Sequence, residues 1–312
     1  MALRSIPWFK LLRFGGIILF IVVLSRTDLG ELWGWLKQVS WWFLAIAAIF
    51  QVLLLGFKCL RWLWLNEQGF QRKKVYQRFG EFLEAYAMGS VTPGRLGEVV
   101  KAGHAGGRSN VVSSGLLVIS ERGLDLSLFF LVAGAMLSLG YISALSRNIG
   151  YVLILLAIAG ITIAFSILLF PAVVGLVDKI LKKMHLLKPE QGLVFVPRKG
   201  RAIGIFSILT ILSNLCAFLS FYFIAVAILI QLDFFTVSGS VALAGIINSI
   251  PVTVMGIGTR DVTLLFVMDT IPKAQVLAFS GLILMISQIG GGLLALVAGQ
   301  YFLYKAKVET GN

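Results

Sequence analysis

The chain has 312 residues, 58% of them hydrophobic and only 13% charged, with 27 Lys and Arg against 14 Asp and Glu for a formal net charge of +13. Its mean hydropathy of +0.93 leaves too little polar surface to coat a soluble globule. The same scarcity excludes nucleic acid as the partner of the positive charge, which basic cytoplasmic loops of a membrane protein explain more simply.

Residues 11–25 form the first apolar run, preceded by Arg4, Lys10 and Arg13. The run is as short as a signal peptide's, but no small-residue cleavage site follows, so an uncleaved first span is expected. The charges after it, Arg26, Asp28, Glu31 and Lys37, cancel. Residues 41–64 form a second span with Lys58 and Arg61 near its lower end, and Arg72, Lys73, Lys74 and Arg78 mark the next loop as cytoplasmic. The segment 82–91 falls short of the roughly 18 apolar residues that cross a bilayer. Pro93-Gly94 stops it, and Lys101 and Arg108 follow. A hairpin that enters from the cytoplasmic side and returns there fits this pattern, provided protein or a wet cavity receives its irregular backbone.

Residues 111–141 and 149–170 make two further spans. The loop 171–201 is the most basic in the chain, with Lys179, Lys182, Lys183, Lys188, Arg198, Lys199 and Arg201. A span over 202–231 follows, then 237–250 ending at Pro251, a glycine-rich break and the short segment 262–268. This second hairpin would enter from the outer side. The last span, 274–304, ends in Lys305 and Lys307. The expected architecture is an all-α polytopic membrane bundle of six full spans and two re-entrant hairpins, 81–106 and 237–270. Eight full spans would place the charges less consistently. Residues 1–312 form one domain, with halves near 1–145 and 146–312 arranged as an inverted repeat and both termini in the cytoplasm.

The two breaks are alike. Thr92-Pro93-Gly94-Arg95-Leu96-Gly97-Glu98 and Thr253-Val254-Met255-Gly256-Ile257-Gly258-Thr259-Arg260-Asp261 share Thr-x-x-x-(Leu/Ile)-Gly with an acidic residue after it. Broken helices at corresponding places in two halves point to a transport site between repeats. A charge at mid-helix costs about 2.5–3.5 kcal/mol on insertion scales, so intramembrane ions are functional candidates. Three groups qualify: Glu81, Glu84, Arg95, Glu98 and Lys101; Glu121, Arg122 and Asp125; and Arg260 with Asp261. Glu121 and Asp125 share a helix face, and Arg122 stands at the spacing that neutralises Asp125. The trio reads equally as a structural ion-pair lock or as part of a path. Glu81 and Glu84, beside the basic loop, read as an interfacial face.

Arg95 and Arg260 stand out because a guanidinium beside freed backbone N–H groups at a half-helix N-terminus is a receptor for phosphate. With one near each membrane face, they suit an amphiphile whose anionic head group moves between leaflets. Trp33, Trp35, Trp41, Trp42, Trp62 and Trp64 read as an interface belt. Gly290-Gly291-Gly292 permits close helix packing and would allow a tight homodimer. Cys59 and Cys216 lack metal-ligand spacing, and His104 and His185 stand alone, so neither metal nor cofactor is expected.

The first break, then Glu121-Arg122-x-x-Asp125-Leu126, then Asn248-Ser249-Ile250-Pro251-Val252-Thr253 running to Gly256-Ile257-Gly258-Thr259-Arg260-Asp261, resemble the transmembrane region of bacterial lysylphosphatidylglycerol synthases. That region is the flippase-like part of the multiple peptide resistance factor. The resemblance covers about residues 10–305. It departs at the second break, where Val254-Met255 replaces the family's Pro-Gly and Asp261 replaces Glu. A less sharp second break is expected from that change. The resemblance implies translocation of an anionic or aminoacylated phospholipid, or of a polyprenyl-linked lipid, in a bacterial cytoplasmic membrane. It does not carry the synthase activity, which belongs to a separate soluble domain. Two other readings stand beside it. One is an enzyme acting on lipid-linked substrates through Glu98, Glu121 and Asp125. The other is an accessory subunit for a cytoplasmic transferase docked on the loop 171–201.

Overall fold

The structure, a computed structural model, describes residues 21–22, 25, 27–65, 72–184, 193, 200–251 and 253–310. Most of the first expected span and of the basic loop from 185 to 199 therefore lies outside the described residues. Among those described there are helices and no strands. The sequence dictates several starts directly. Asp28 opens α1 (Leu29–Lys37) by accepting from the Gly30 and Glu31 N–H groups. Ser146 caps α5 (Arg147–Leu169), and Asp233 caps α8 (Phe234–Asn248) by accepting from Phe235 and Thr236.

Three antiparallel pairs make the frame. In the first, α2 (Trp41–Leu65) lies against α7 (Gly200–Ala227). The Ser40 N–H donates to the Ala227 carbonyl at 2.9 Å, the Ser220 hydroxyl to the Ala47 carbonyl at 2.9 Å, and Arg61 reaches Thr210 at 3.3 Å. In the second, α4 (Val100–Leu139) crosses α5 where Gly134 meets Gly150. A Cβ on either would fall 2.7 or 2.8 Å from the other's carbonyl oxygen, the close approach that small residues permit in membrane bundles. In the third, α3 (Arg72–Val91) runs along α11 (Gly291–Thr310), with Tyr76 stacked on Phe302 at 6.0 Å.

Three clusters make up the core. One gathers Leu54, Trp62, Phe82, Tyr86, Ala102, Leu124, Leu168 and Phe206. A second gathers Leu44, Ile228, Val237, Val241, Leu264, Met268 and Phe279. A third joins Ala133, Leu137, Ile142, Phe218, Ala242, Leu243 and Val267. The helices beside the first break pack in the first cluster, and those on either side of the second, α8 and α9 (Thr259–Val267), pack in the other two.

The helical run of α4 is not straight. Twenty residues of straight helix would separate Lys101 from Glu121 by about 30 Å, yet the Lys101 ammonium contacts the Glu121 carboxylate and Arg122 contacts Glu98. The run therefore doubles back between Lys101 and Glu121, which returns it alongside the first break.

Four described helices are long and apolar enough to cross a membrane: Trp41–Leu65, Arg147–Leu169, Gly200–Ala227 and the run Lys273–Glu309. They coincide with the expected spans 41–64, 149–170, 202–231 and 274–304. The expected span 111–141 falls, up to Leu139, within α4, the helix that carries Glu121, Arg122 and Asp125. The last run is α10 (Lys273–Ile283), a π-helical turn (Leu284–Gly290) and α11. The outer face of α5 presents Tyr151, Val152, Leu155, Ile158 and Ile163 to the surroundings, a patch that hydrocarbon satisfies and water does not.

One sequence expectation changes here and another holds. Trp41 and Trp42 are 79% and 73% exposed, as belt residues are, but Trp62 is 1% exposed and the Lys101 ammonium sits 4.7 Å from its ring centroid. It packs inside, not in a belt. The glycine run serves contacts within the chain: a Cβ on Gly291 would meet the Gln51 amide at 3.0 Å, and one on Gly292 would run into Ser90.

Candidate functional site

At the first break the chain leaves α3 at Thr92, whose backbone is extended. The Thr92 hydroxyl accepts from the Gly97 N–H at 2.8 Å and donates to the Gly89 carbonyl at 3.2 Å, which ties the two sides of the turn together. Pro93 opens the 3-10 turn Pro93–Val99, where its missing N–H removes no bond. Gly94 and Arg95 then both take left-handed φ, 58° and 56°. For Arg95 that conformation costs about 1 kcal/mol. The turn places its guanidinium 5.3 Å from the Tyr86 ring centroid and 3.3 Å from Gln288 Oε1.

The second break is at least as sharp as the first, against the expectation from the lost Pro-Gly. Met255, Gly256 and Gly258 all have positive φ, of 55°, 74° and 86°, so the backbone turns even with a methionine where the family has glycine. The helix that restarts there is anchored by its own charges. Asp261 accepts from the Gly258 N–H at 2.7 Å and from the Ser280 hydroxyl. Ser280 in turn accepts from Arg260 Nε at 2.7 Å, and Arg260 and Asp261 stand 3.8 Å apart. Asp in place of Glu still reaches its partners.

The two breaks meet tip to tip. A Cβ on Gly94 would lie 3.1 Å from Pro251 Cβ and 3.3 Å from the Ser249 carbonyl oxygen. Around this contact lies a cavity of about 500 Å³ with Lys58, Arg95, Glu98, Arg122, Asp125 and Arg260 in its wall. Asn214, Asn248, Gln51 and Gln288 add neutral polar groups, and Leu54, Val118, Leu126, Phe129 and Phe221 make the apolar remainder. Val99 and Ile119, 53% and 59% exposed, also line it, so the cavity reaches the protein's outer surface through an apolar rim.

Behind the wall lies a continuous ion-pair network. Arg61 clamps Glu121 at 2.7 Å and Asp125 at 2.6 Å. Lys58 holds Asp125 from the other side at 2.9 Å. Lys101 contacts Glu121 and lies 3.7 Å from Glu98, and Arg122 contacts Glu98. Arg122 thus pairs with Glu98 across the fold and not with Asp125, whose partners are Arg61, Lys58 and the Asn214 amide. Arg95 is the least committed cation, 3.9 Å from Glu98.

The family described as the lysylphosphatidylglycerol synthase TM region matches residues 8–295. The chain belongs to this family. No curated protein and no solved structure matches it. The family match spans both breaks and the charged stretch of α4, so the cavity is built within the part that the chain shares with the lysylphosphatidylglycerol synthase TM region.

Of the residues singled out in the sequence, Gly94, Arg95, Glu98, Arg122, Asp125, Asn248 and Arg260 line the cavity. Thr92 and Gly97 shape the first turn, and Pro251 packs on Gly94. A Cβ on Gly256 would strike the Asn248 side-chain amide. Gly258 and Asp261 anchor the restarted helix, and Glu121 sits behind the wall as a bridge between Arg61 and Lys101. Arg95 and Arg260 line one cavity together. Glu81 pairs with Arg78 at 3.1 Å, outside that cavity. The sequence reading missed Lys58, Arg61, Gln51, Gln288 and Asn214 as parts of the site. Lys58 and Arg61 stand three apart, the same-face spacing that matches Glu121 and Asp125 on the opposing helix.

Proposed function

We propose that this membrane protein moves a lipid between leaflets, the head group passing through the charged cavity while the acyl or prenyl tails stay in the surrounding hydrocarbon. The observation that carries the reading is a polar, ion-lined cavity at the meeting point of two broken helices, open to the outer surface through the apolar rim at Val99 and Ile119. A soluble ligand needs no apolar lateral door. The arrangement of one break in each half of the chain, tips together, supports reading the hairpins as inverted repeats that enter from opposite faces.

Described basic side chains Arg78, Lys179, Lys182, Arg201, Lys305 and Lys307 gather toward the helix ends where Leu65, Leu168 and Ala202 meet. By the positive-inside rule this end faces the cytoplasm. Acid–base catalysis has less support, because Glu98, Glu121 and Asp125 are each held by a cation.

The test is transfer of fluorescent head-group-labelled lipids in proteoliposomes, read by leaflet-specific quenching, for the wild type and Arg95→Ala. Arg95 is partly exposed and loosely paired, so its removal leaves the fold standing and slows transfer. Equal rates for protein-free vesicles and the folded wild type, for every lipid offered, would end the translocation reading.

A further inference from the structure

The lining chemistry also bears on which head group the cavity takes, and this step rests on the translocation reading. Around the cavity and directly behind its wall stand six cations, Lys58, Arg61, Arg95, Lys101, Arg122 and Arg260, against four carboxylates, Glu98, Glu121, Asp125 and Asp261. The excess is two positive charges. Each carboxylate already has a cationic partner within the protein, whereas Arg95 reaches Glu98 only at 3.9 Å. An ammonium group on a lipid head would find no uncommitted carboxylate there and would meet like charge on Arg95 and Arg122.

Gln51 supplies an independent observation. It is 3% exposed and lines the cavity, and its Oε1 has no hydrogen-bond partner among the described residues. A buried acceptor left unpaired carries a desolvation cost of about 1–3 kcal/mol, which an incoming donor removes. Its Nε2 lies 3.5 Å from the Tyr86 hydroxyl, and the Tyr86 ring carries Arg95. Cation and acceptor therefore flank one aromatic ring.

We propose that the cavity selects lipids with a phosphate monoester head group over phosphodiester and aminoacylated phospholipids. A monoester carries about −1.5 to −2 charge at pH 7, which matches the excess of two. The fraction that is still singly protonated, with one negative charge instead of two, offers a P–OH donor for Gln51. A diester bears one charge and no such proton, and a lysyl ester adds positive charge to a cavity already in cationic excess. The forked Arg95 guanidinium suits bidentate phosphate contact.

The experiment reconstitutes the full chain in vesicles doped separately with phosphatidic acid, a polyprenyl monophosphate, phosphatidylglycerol, phosphatidylethanolamine and lysylphosphatidylglycerol, and measures transfer of each. The two monoesters are expected to cross about tenfold faster than the others, the factor given by one additional interaction of about 1.4 kcal/mol. Arg95→Gln should reduce that preference, and Gln51→Leu should lower monoester rates more than diester rates. Lysylphosphatidylglycerol crossing as fast as phosphatidic acid would overturn the proposal while leaving translocation intact. Entry of labelled glycerol 3-phosphate in place of lipid would assign the cavity to a soluble ester and overturn the lipid form. If no lipid crosses, translocation fails, and a second readout decides the selectivity alone. Thermal stabilisation of the detergent-solubilised protein by phosphatidic acid but not by lysylphosphatidylglycerol upholds it, and equal stabilisation overturns it.

Discussion

Arg61→Met removes the centre of the buried network and should cost about 3 kcal/mol. Arg61 is 1% exposed. Its guanidinium donates to Glu121 at 2.7 and 3.1 Å, to Asp125 at 2.6 and 3.0 Å, and to Thr210 at 3.3 Å. Breaking a buried ion pair by deleting one partner costs about 3–5 kcal/mol, because the other charge stays buried. Here Glu121 keeps Lys101 and Asp125 keeps Lys58, so the lower end applies even though two carboxylates lose a partner. Methionine fills the stem volume beside Phe206, over which the guanidinium now lies at 5.7 Å, which keeps a cavity term small. Arg61→Lys retains the charge but loses the fork, and should fall between, at about 1–2 kcal/mol. Reversible denaturation in mixed detergent micelles, followed by tryptophan fluorescence, reads these differences. A loss below about 1 kcal/mol for Arg61→Met, with Arg61→Lys indistinguishable from wild type, would show that the network behaves like hydrated surface pairs and refute the reasoning.

Three further outcomes follow from local geometry. Met255→Gly should stabilise the protein by about 0.5 kcal/mol in the same denaturation assay, since relief of a left-handed methionine exceeds the added chain entropy of glycine; Met255→Ala should give no gain. Asp233→Ala deletes the cap of α8, whose carboxylate accepts from Phe235 at 2.8 Å and Thr236 at 3.0 Å. It should cost about 1 kcal/mol and speed hydrogen exchange in the first turn of α8 only. Gly97→Ala drives a Cβ to 2.6 Å from the Met88 carbonyl, which should cost about 2 kcal/mol and raise the accessibility to thiol reagents of a cysteine placed at Tyr86.

Much of the frame was legible because apolar runs and glycine breaks speak a local language. The run ending at Leu169 needs only its hydropathy, and Pro93-Gly94 announces a break on any background. The centre of the site was not legible in the same way. Lys58 and Arg61 sit toward the end of an apolar run, where long basic side chains ordinarily snorkel to the interface, and only the opposing helix shows that they turn inward. Arg122 was assigned to Asp125 by helical spacing, and the fold instead brings Glu98 to it across the doubled-back run of α4. The reversal itself falls where the sequence reading ends its first hairpin at 106 and begins the next span at 111, around Gly106-Gly107 and Ser109-Asn110, but which partner it would bring to Arg122 was not legible. Gln51 and Gln288 were visible as lone polar residues inside apolar spans, yet it is the π-helical turn around Gln288 that places it toward Arg95, and such turns have no sequence signature of their own.

The contact between Gly94 and Pro251 also sets a tempo. Barriers built from long side chains open by rotamer flips, in picoseconds to nanoseconds. Glycine has no side chain to swing, and the proline ring is locked to its own backbone. Where these two touch, clearance comes only from moving one helix tip bodily away from the other, a collective motion on the order of microseconds to milliseconds. On the translocation reading proposed above, backbone displacement at the tips becomes the slow step of each passage.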